Sequence, residues 1–153
     1  MRRGEALALQ VEDLKLDKTI YIHASKRDQS DALRPTKTRQ NRRIGIDDNL
    51  YLELSSLADM YKSGYLFGGE VSLSPSNVSR VFEDAVKASG VKHIRIHDLR
   101  HSHASWLINN GVNIVAVSKR LGHATIEQTL KTYTHLLSST EENMMQTINS
   151  AKS

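Results

Sequence analysis

The spacing of apolar positions changes along this chain, and each change predicts a different element. Ala6-Leu7-Ala8-Leu9, continued by Val11 and Leu14, predicts a short opening helix with one apolar stripe. Thr19-Ile20-Tyr21-Ile22-His23-Ala24 alternates and is rich in β-branched and aromatic residues, which predicts a strand. A polar stretch from Ser25 to Asp31 follows. Two more strands are expected over Leu33 to Thr38 and Arg42 to Ile46, joined by a tight turn at Arg39-Gln40-Asn41. Pro35 suits an edge strand, because it has no N–H to give to a ladder. The expectation is a small antiparallel sheet carrying a basic hairpin.

Beyond residue 47 the spacing becomes helical. Asp47-Asp48-Asn49 offers caps ahead of the stripe Leu50, Leu52, Leu54 and Leu57. Tyr65-Leu66-Phe67, ahead of Gly68-Gly69, reads as a short buried segment ending in a turn. Ser74-Pro75-Ser76-Asn77 starts a helix, with proline where the N–H has no helical partner anyway. Val78, Val81, Phe82, Ala85 and Val86 then recur at helical spacing, and Gly90 ends the run.

The last third reads as four helices. The first spans about Asp98 to Asn110, with Leu99, Ala104, Leu107 and Ile108 apolar and Gly111 beyond its end. The second follows from Asn113, carries Ile114, Val117 and Leu121, and stops at Gly122. Thr125-Ile126-Glu127-Gln128 has the spacing of a capping box and opens the third, which carries Tyr133. Ser139-Thr140-Glu141-Glu142 has the same spacing and opens a terminal helix with Met144, Met145 and Ile148. The expected fold class is mainly α with a small antiparallel β-sheet, an α+β domain.

Composition narrows this modestly. A length of 153 residues suits one domain with a real core. There is no cysteine, hence no disulfide framework and no thiolate metal site. No apolar run approaches membrane-spanning length and no signal peptide opens the chain, so a cytoplasmic location is expected. The absence of a polar leader suggests a chain that begins inside a domain, as a fragment. Charge changes the picture more. The net charge is +4, and Lys26, Arg27, Arg34, Lys37, Arg39, Arg42 and Arg43 cluster in one region. Such a cluster attracts polyanions, since phosphate contacts dominate nucleic-acid affinity.

The candidate chemistry lies between His97 and Tyr133. His97 and Arg100 are three apart and share a helical face. An arginine fork suits two oxygens of one phosphate, and a neighbouring imidazole moves protons near neutral pH. His123 sits at a helix stop. Tyr133 follows one helix later, and a phenol with its ordinary pKa near 10 needs an electropositive pocket to act as a nucleophile. Each feature has an ordinary alternative: a capped helix start for His97 and Arg100, a solvent histidine, a core tyrosine, a solvated Lys37. His97, His101 and His103 also raise a metal site, against which stand the missing cysteines and acidic ligands.

Together these residues resemble a known family. His97-Asp98-Leu99-Arg100-His101, then Leu121-Gly122-His123, then Thr129-Leu130-Lys131-Thr132-Tyr133 is similar to the signature of tyrosine recombinases, and within them to phage and mobile-element integrases of bacteria. Arg2-Arg3-Gly4-Glu5 is similar to the family's Arg-x-Gly-Glu box, and Thr36-Lys37-Thr38 with Arg42-Arg43-Ile44 to its β-hairpin lysine segment. The resemblance implies the tyrosine-recombinase catalytic domain fold over residues 1–153, as a fragment lacking the N-terminal core-binding domain. It implies site-specific recombination: Tyr133 attacks a DNA phosphodiester and forms a 3′-phosphotyrosine, with Arg2 and Arg100 clamping the phosphate. Lys37 would protonate the leaving 5′-hydroxyl, His97 would assist proton transfer, and His123 would hydrogen-bond the phosphate. Arg34, Arg39, Arg42 and Arg43 would supply DNA-binding charge. The implied partners are double-stranded attachment-site DNA and further protomers, up to a tetramer, with no metal or other cofactor. Three other readings stay open: a DNA-binding fragment without chemistry, a metal-dependent nuclease or phosphatase, and a type IB topoisomerase, which fits the motifs less well.

Overall fold

The computed structural model describes residues 1–26, 33–36, 41–136 and 140–150, the last stretch without side chains at 140–143 and 147. It divides into two compact units, residues 1–101 and 102–153.

The first unit opens with helix α1 (Arg3–Leu7), which begins three residues earlier than the apolar stripe suggests. Arg2 is extended and caps it. The helix does not run on through Val11 and Leu14. A 3-10 turn (Val11–Asp13) and strand β1 (Leu14–Lys15) replace it. The buried Asp13 carboxylate accepts the Gln10 N–H at 3.0 Å, a local bond that competes with helical ones. Val11 and Leu14 still reach the core, from a turn and a strand.

Strand β2 (Thr19–Ile22) alternates as expected, with Ile20 and Ile22 buried. His23 separates it from β3 (Ala24–Ser25); β4 is Arg34–Pro35 and β5 is Arg42–Gly45. β2 lies antiparallel between β1 and β5, pairing Ile20 with Ile44 and Ile22 with Arg42. β3 pairs with β4. The expected pairing of the 33–38 strand with the 42–46 strand is therefore corrected: the two join different partners. Alternation specifies which face a strand buries, not which strand lies beside it. The expected turn at Arg39 and Gln40 falls outside the described residues.

Helix α2 (Asp48–Tyr61) is capped by Asp47, whose carboxylate accepts the Leu50 N–H at 3.0 Å. Leu54 is buried and Leu57 packs beside it, whereas Leu52 is 64% exposed. The helical turn puts Leu52 on the opposite face from Leu50 and Leu54, which corrects the four-leucine stripe. The core gathers Leu9, Ile20, Ile22, Ile44, Leu54 and Leu66. The Leu66 N–H bonds the Leu9 carbonyl at 2.9 Å, tying the short buried segment to the end of α1. Helix α3 (Pro75–Ser89) starts after Ser74 and ends at left-handed Gly90, as expected. Helix α4 (Ile96–Asn109) begins two residues before Asp98.

The second unit takes the rest of α4 and adds α5 (Ile114–Leu121), α6 (Ile126–Tyr133), a 3-10 turn (Thr134–Leu136) and α7 (Thr140–Ser150). Its core is Ala104, Ile108, Val117, Leu121 and Tyr133. Asn113 caps α5 through the Val115 N–H. Thr125 stands at the cap position of α6, but its side chain makes no capping bond. The hydroxyl bonds the Glu127 carboxylate instead, which lowers that carboxyl's pKa. The fold is thus mainly helical with two small antiparallel sheets. Among the described residues, no helix is long and apolar enough to cross a membrane.

Candidate active site

In the first unit the site is built around a buried carboxylate. Glu5 is 1% exposed, and two arginines share it. Arg2 gives its backbone N–H to Oε2 at 2.7 Å and an Nη1–H to Oε1 at 3.0 Å. Arg42, from the start of β5, forks onto both oxygens, Nη1 to Oε1 at 3.2 Å and Nη2 to Oε2 at 2.7 Å. Burial by itself would push the Glu5 pKa up. The Arg42 hydrogen bonds, the Arg2 N–H and the two positive charges outweigh it, and the net shift is downward. Glu5 is therefore an anion in a site holding two cations.

Gly4 makes this geometry possible. The Lys26 N–H bonds the Gly4 carbonyl at 2.8 Å, and a side chain at Gly4 would collide with the Lys26 carbonyl and the Ser25 hydroxyl. Only glycine lets α1 lie against the chain leaving β3. Arg3 bonds the Ser79 hydroxyl and so ties α1 to α3.

Arg100 is 7% exposed. Positions 100, 104 and 108 recur at helical spacing, so the guanidinium lies on the same stripe as buried Ala104 and Ile108, while Leu99 is 48% exposed. The stripe anticipated from Leu99 is corrected accordingly. A cation at a core position is rare unless it is used or paired. Asp98 takes the Arg95 side chain and the Arg95 N–H, at 2.8 Å for the latter, which pull its pKa down to about 2 and close the start of α4. His97 stands exposed one residue before it, its ring edge-on to His101 with centroids 4.9 Å apart. Partial desolvation first, then the charges of His101, Arg100 and Arg2, lower the His97 pKa, so its imidazole is neutral at pH 7. Arg2 and Arg100 thus each act electrostatically on His97. A cleft of about 410 Å³ opens beside them, lined by Arg3, Ser79, Phe82, Arg95 and His97.

In the second unit, His123 is held twice. Gly122 takes a left-handed conformation after Leu121, its N–H bonds the Lys119 carbonyl at 3.0 Å, and the His123 N–H bonds the Ser118 carbonyl at 3.2 Å. These are the paired bonds of a Schellman motif, and the left-handed residue is best served by glycine. The ring is held by Nδ1, 2.7 Å from the hydroxyl of fully buried Thr129. Tyr133, the last residue of α6, is 3% exposed and packs among Ala104, Ile108, Val117 and Leu121. His103 accepts the Arg120 Nε–H at 3.0 Å, so its Nε2 lone pair is committed to a cation.

The structure therefore brings Arg2, His97 and Arg100 together in one unit, and His123 with Thr129 in the other, beside the core that holds Tyr133. Lys37 and Arg39 lie outside the described residues. Of the remaining basic positions, Arg34 is exposed on β4 and Arg43 is 60% exposed, 3.9 Å from Asp17. Arg42 differs from both, because its fork is occupied by Glu5. Among the described residues no three histidine or acidic side chains converge as metal ligands do. Sequence reasoning passed over Glu5 and Thr129 as site residues. Both stand inside the motifs already singled out.

The chain was compared with known proteins. The model of the phage integrase family matches residues 1–140. Transposase A from transposon Tn554 of Staphylococcus aureus is 33% identical over 150 residues, covering 89% of this chain and 40% of that protein. The ICEBs1 integrase of Bacillus subtilis is 29% identical over 161 residues, covering 94% and 44%. Among solved structures, the Tn1549 transposon integrase in complex with transposon right end DNA aligns with a TM-score of 0.82 at 20% identity, over 97% of this chain and 55% of that one. The catalytic domain of bacteriophage HP1 integrase aligns with a TM-score of 0.64 at 28% identity, over 95% and 73%. The chain spans less than half the length of these curated relatives.

Proposed function

Because the chain belongs to the phage integrase family, we propose that it is the catalytic domain of a tyrosine-type site-specific recombinase, cutting and rejoining DNA of a phage or other mobile element. The observation that carries this reading is the family match over residues 1–140, supported by Arg2 and Arg100 both lying within electrostatic reach of His97 in the first unit. Two guanidiniums held by the protein can take the non-bridging oxygens of one phosphodiester and stabilise the charge that grows as it is attacked.

The step balances without a metal or other cofactor. The Tyr133 hydroxyl oxygen bonds to phosphorus, the bond from phosphorus to the 5′-oxygen breaks, and a 3′-phosphotyrosine forms. The phenol proton passes to a base, and assisting that transfer is the role proposed for His97. Lys37 gives a proton to the leaving 5′-oxygen. His123, fixed through its Nδ1 by Thr129, offers Nε2 to a phosphate oxygen. A second 5′-hydroxyl reverses the step, because the covalent link keeps the energy of the broken bond. The partners on this reading are double-stranded attachment-site DNA and further protomers on it, and the location is the cytoplasm, where that DNA lies.

The test is a duplex nicked next to the cut site, which loses its 5′-fragment and traps the intermediate. The chain is expected to form an adduct that survives a denaturing gel. Tyr133→Phe is expected to form none while binding the duplex as before, since only one hydroxyl is removed. An adduct with the phenylalanine variant overturns the assignment.

A further inference from the structure

We infer that Arg42 is a positioning residue for the cleavage step, acting on Arg2 through the shared carboxylate of Glu5, and is not a DNA contact. The inference rests on the function proposed above.

The geometry is unusually complete. A carboxylate has about four acceptor positions. Here each oxygen of Glu5 takes one bond from Arg2 and one from Arg42, at distances between 2.7 and 3.2 Å. The carboxylate plane is therefore set from the far side by the Arg42 fork, and that plane sets where Arg2 can stand. The Glu5 side chain has no exposed surface and that of Arg42 is 10% exposed, against 23% for Arg2. Arg2 is thus the open end of the cluster and Arg42 the closed end. A phosphate approaching from solvent meets the first and not the second.

Charge makes the arrangement work. Arg42 keeps the buried Glu5 carboxylate ionised, and so able to hold Arg2 in place. It also joins elements that local sequence does not join. Arg42 is held in the sheet opposite Ile22, while Arg2 begins α1, so the ion cluster fixes the start of α1 on the edge of the sheet. Arginine is required for this, because a planar fork can orient a carboxylate and a single ammonium cannot.

The test uses this chain and the nicked duplex, with adduct formation followed in a single turnover at saturating protein. Arg42→Ala is expected to slow adduct formation about 100-fold, the scale of a misplaced catalytic group. DNA affinity and its salt dependence are expected to stay as they are. A duplex with sulfur in the 5′-bridging position, whose leaving group needs no proton, is expected to stay equally slow, because Arg2 acts on the non-bridging oxygens. Arg42→Lys keeps the charge without the fork, preserves the fold should the alanine variant not fold, and is expected to recover only part of the rate. Three results overturn the inference: a wild-type rate in either folded variant, a loss of affinity with the rate at saturation unchanged, or full rescue by the sulfur substrate. Failure of the unaltered chain to form any adduct would overturn the parent reading, and this inference with it.

Discussion

The two units hold their candidate site residues by different physics. In residues 1–101, Arg2 is gripped through charge: a buried carboxylate, a second arginine and short hydrogen bonds. In residues 102–153, Tyr133 is held by apolar packing, and His123 by one neutral hydroxyl and a helix-ending turn. The difference follows from the groups themselves. A guanidinium must have its N–H groups satisfied and cannot be packed into hydrocarbon, so fixing it takes an anion. A phenol has a large apolar ring, and packing alone restricts it to a few rotamers. The first strategy gives stiff orientation and sensitivity to pH. The second rests on contact between apolar surfaces, whose strength does not depend on charge.

Glu5→Gln breaks the contrast most sharply. It removes the anion and leaves two half-buried guanidiniums without the Glu5 charge. The expected loss is about 3–5 kcal/mol of folding stability, read as a lower denaturant midpoint, with DNA cleavage lost as well. In the second unit, Thr129→Val deletes only the hydroxyl that holds His123. One hydrogen bond of this kind contributes about 1 kcal/mol, so the midpoint is expected to shift by that order, with adduct formation slowed and DNA affinity kept.

Acid sharpens the comparison without a mutation. Glu5 has its pKa lowered in the fold from 4.5, so its stabilisation is complete above that value and is lost as pH falls through the folded pKa. His97 is lowered from 6.5, so the fold binds its proton less readily than the unfolded chain does. That contribution is complete above 6.5 and lost as pH falls from there through the folded pKa. Both groups lie in the first unit. Hydrogen exchange should therefore show the amides of Ile20, Ile22 and Ile44 losing protection at higher pH than those of Val117 and Leu121. Equal loss in both units would show that the division has no energetic meaning.

The smallest effect separates two adjacent arginines. Arg43→Ala is expected to weaken binding to all duplex sequences alike and to reduce the slope of log affinity against log salt by about 1. Arg42→Ala is expected to leave that slope unchanged, because its charge is already spent on Glu5. Filter binding across a salt series distinguishes them.

Much of where the candidate residues lie was legible before any coordinates. His97 and Arg100 do share a helix, Gly122 does stop the helix before His123, and Tyr133 does lie one helix further on. What was not legible has one cause in each case. The Leu33 to Thr38 strand found a different partner because Ala24 and Ser25, not Arg42 and Arg43, lie opposite it. The Thr125 hydroxyl donates to the Glu127 carboxylate two residues on instead of accepting a backbone N–H at the start of α6. Arg42 read as one more basic residue in a charge cluster, because nothing near it in sequence reveals a carboxylate 37 positions away.

The sequence by itself determined the ends of α3 at Gly90 and of α5 at Gly122, the alternation of β2 and the order of the chemically suited residues. These depend on hydrogen bonds within a turn and on the 3.6 and 2.0 periods, which are local properties of the chain. Only the tertiary structure decided which strands pair, which arginine is spent on Glu5, and that Arg100 rather than Leu99 takes the buried stripe. Those outcomes depend on what stands opposite each side chain in space. Burial multiplies the strength of a charge–charge contact and the cost of leaving one unmade, and burial is not a property of any short stretch of sequence.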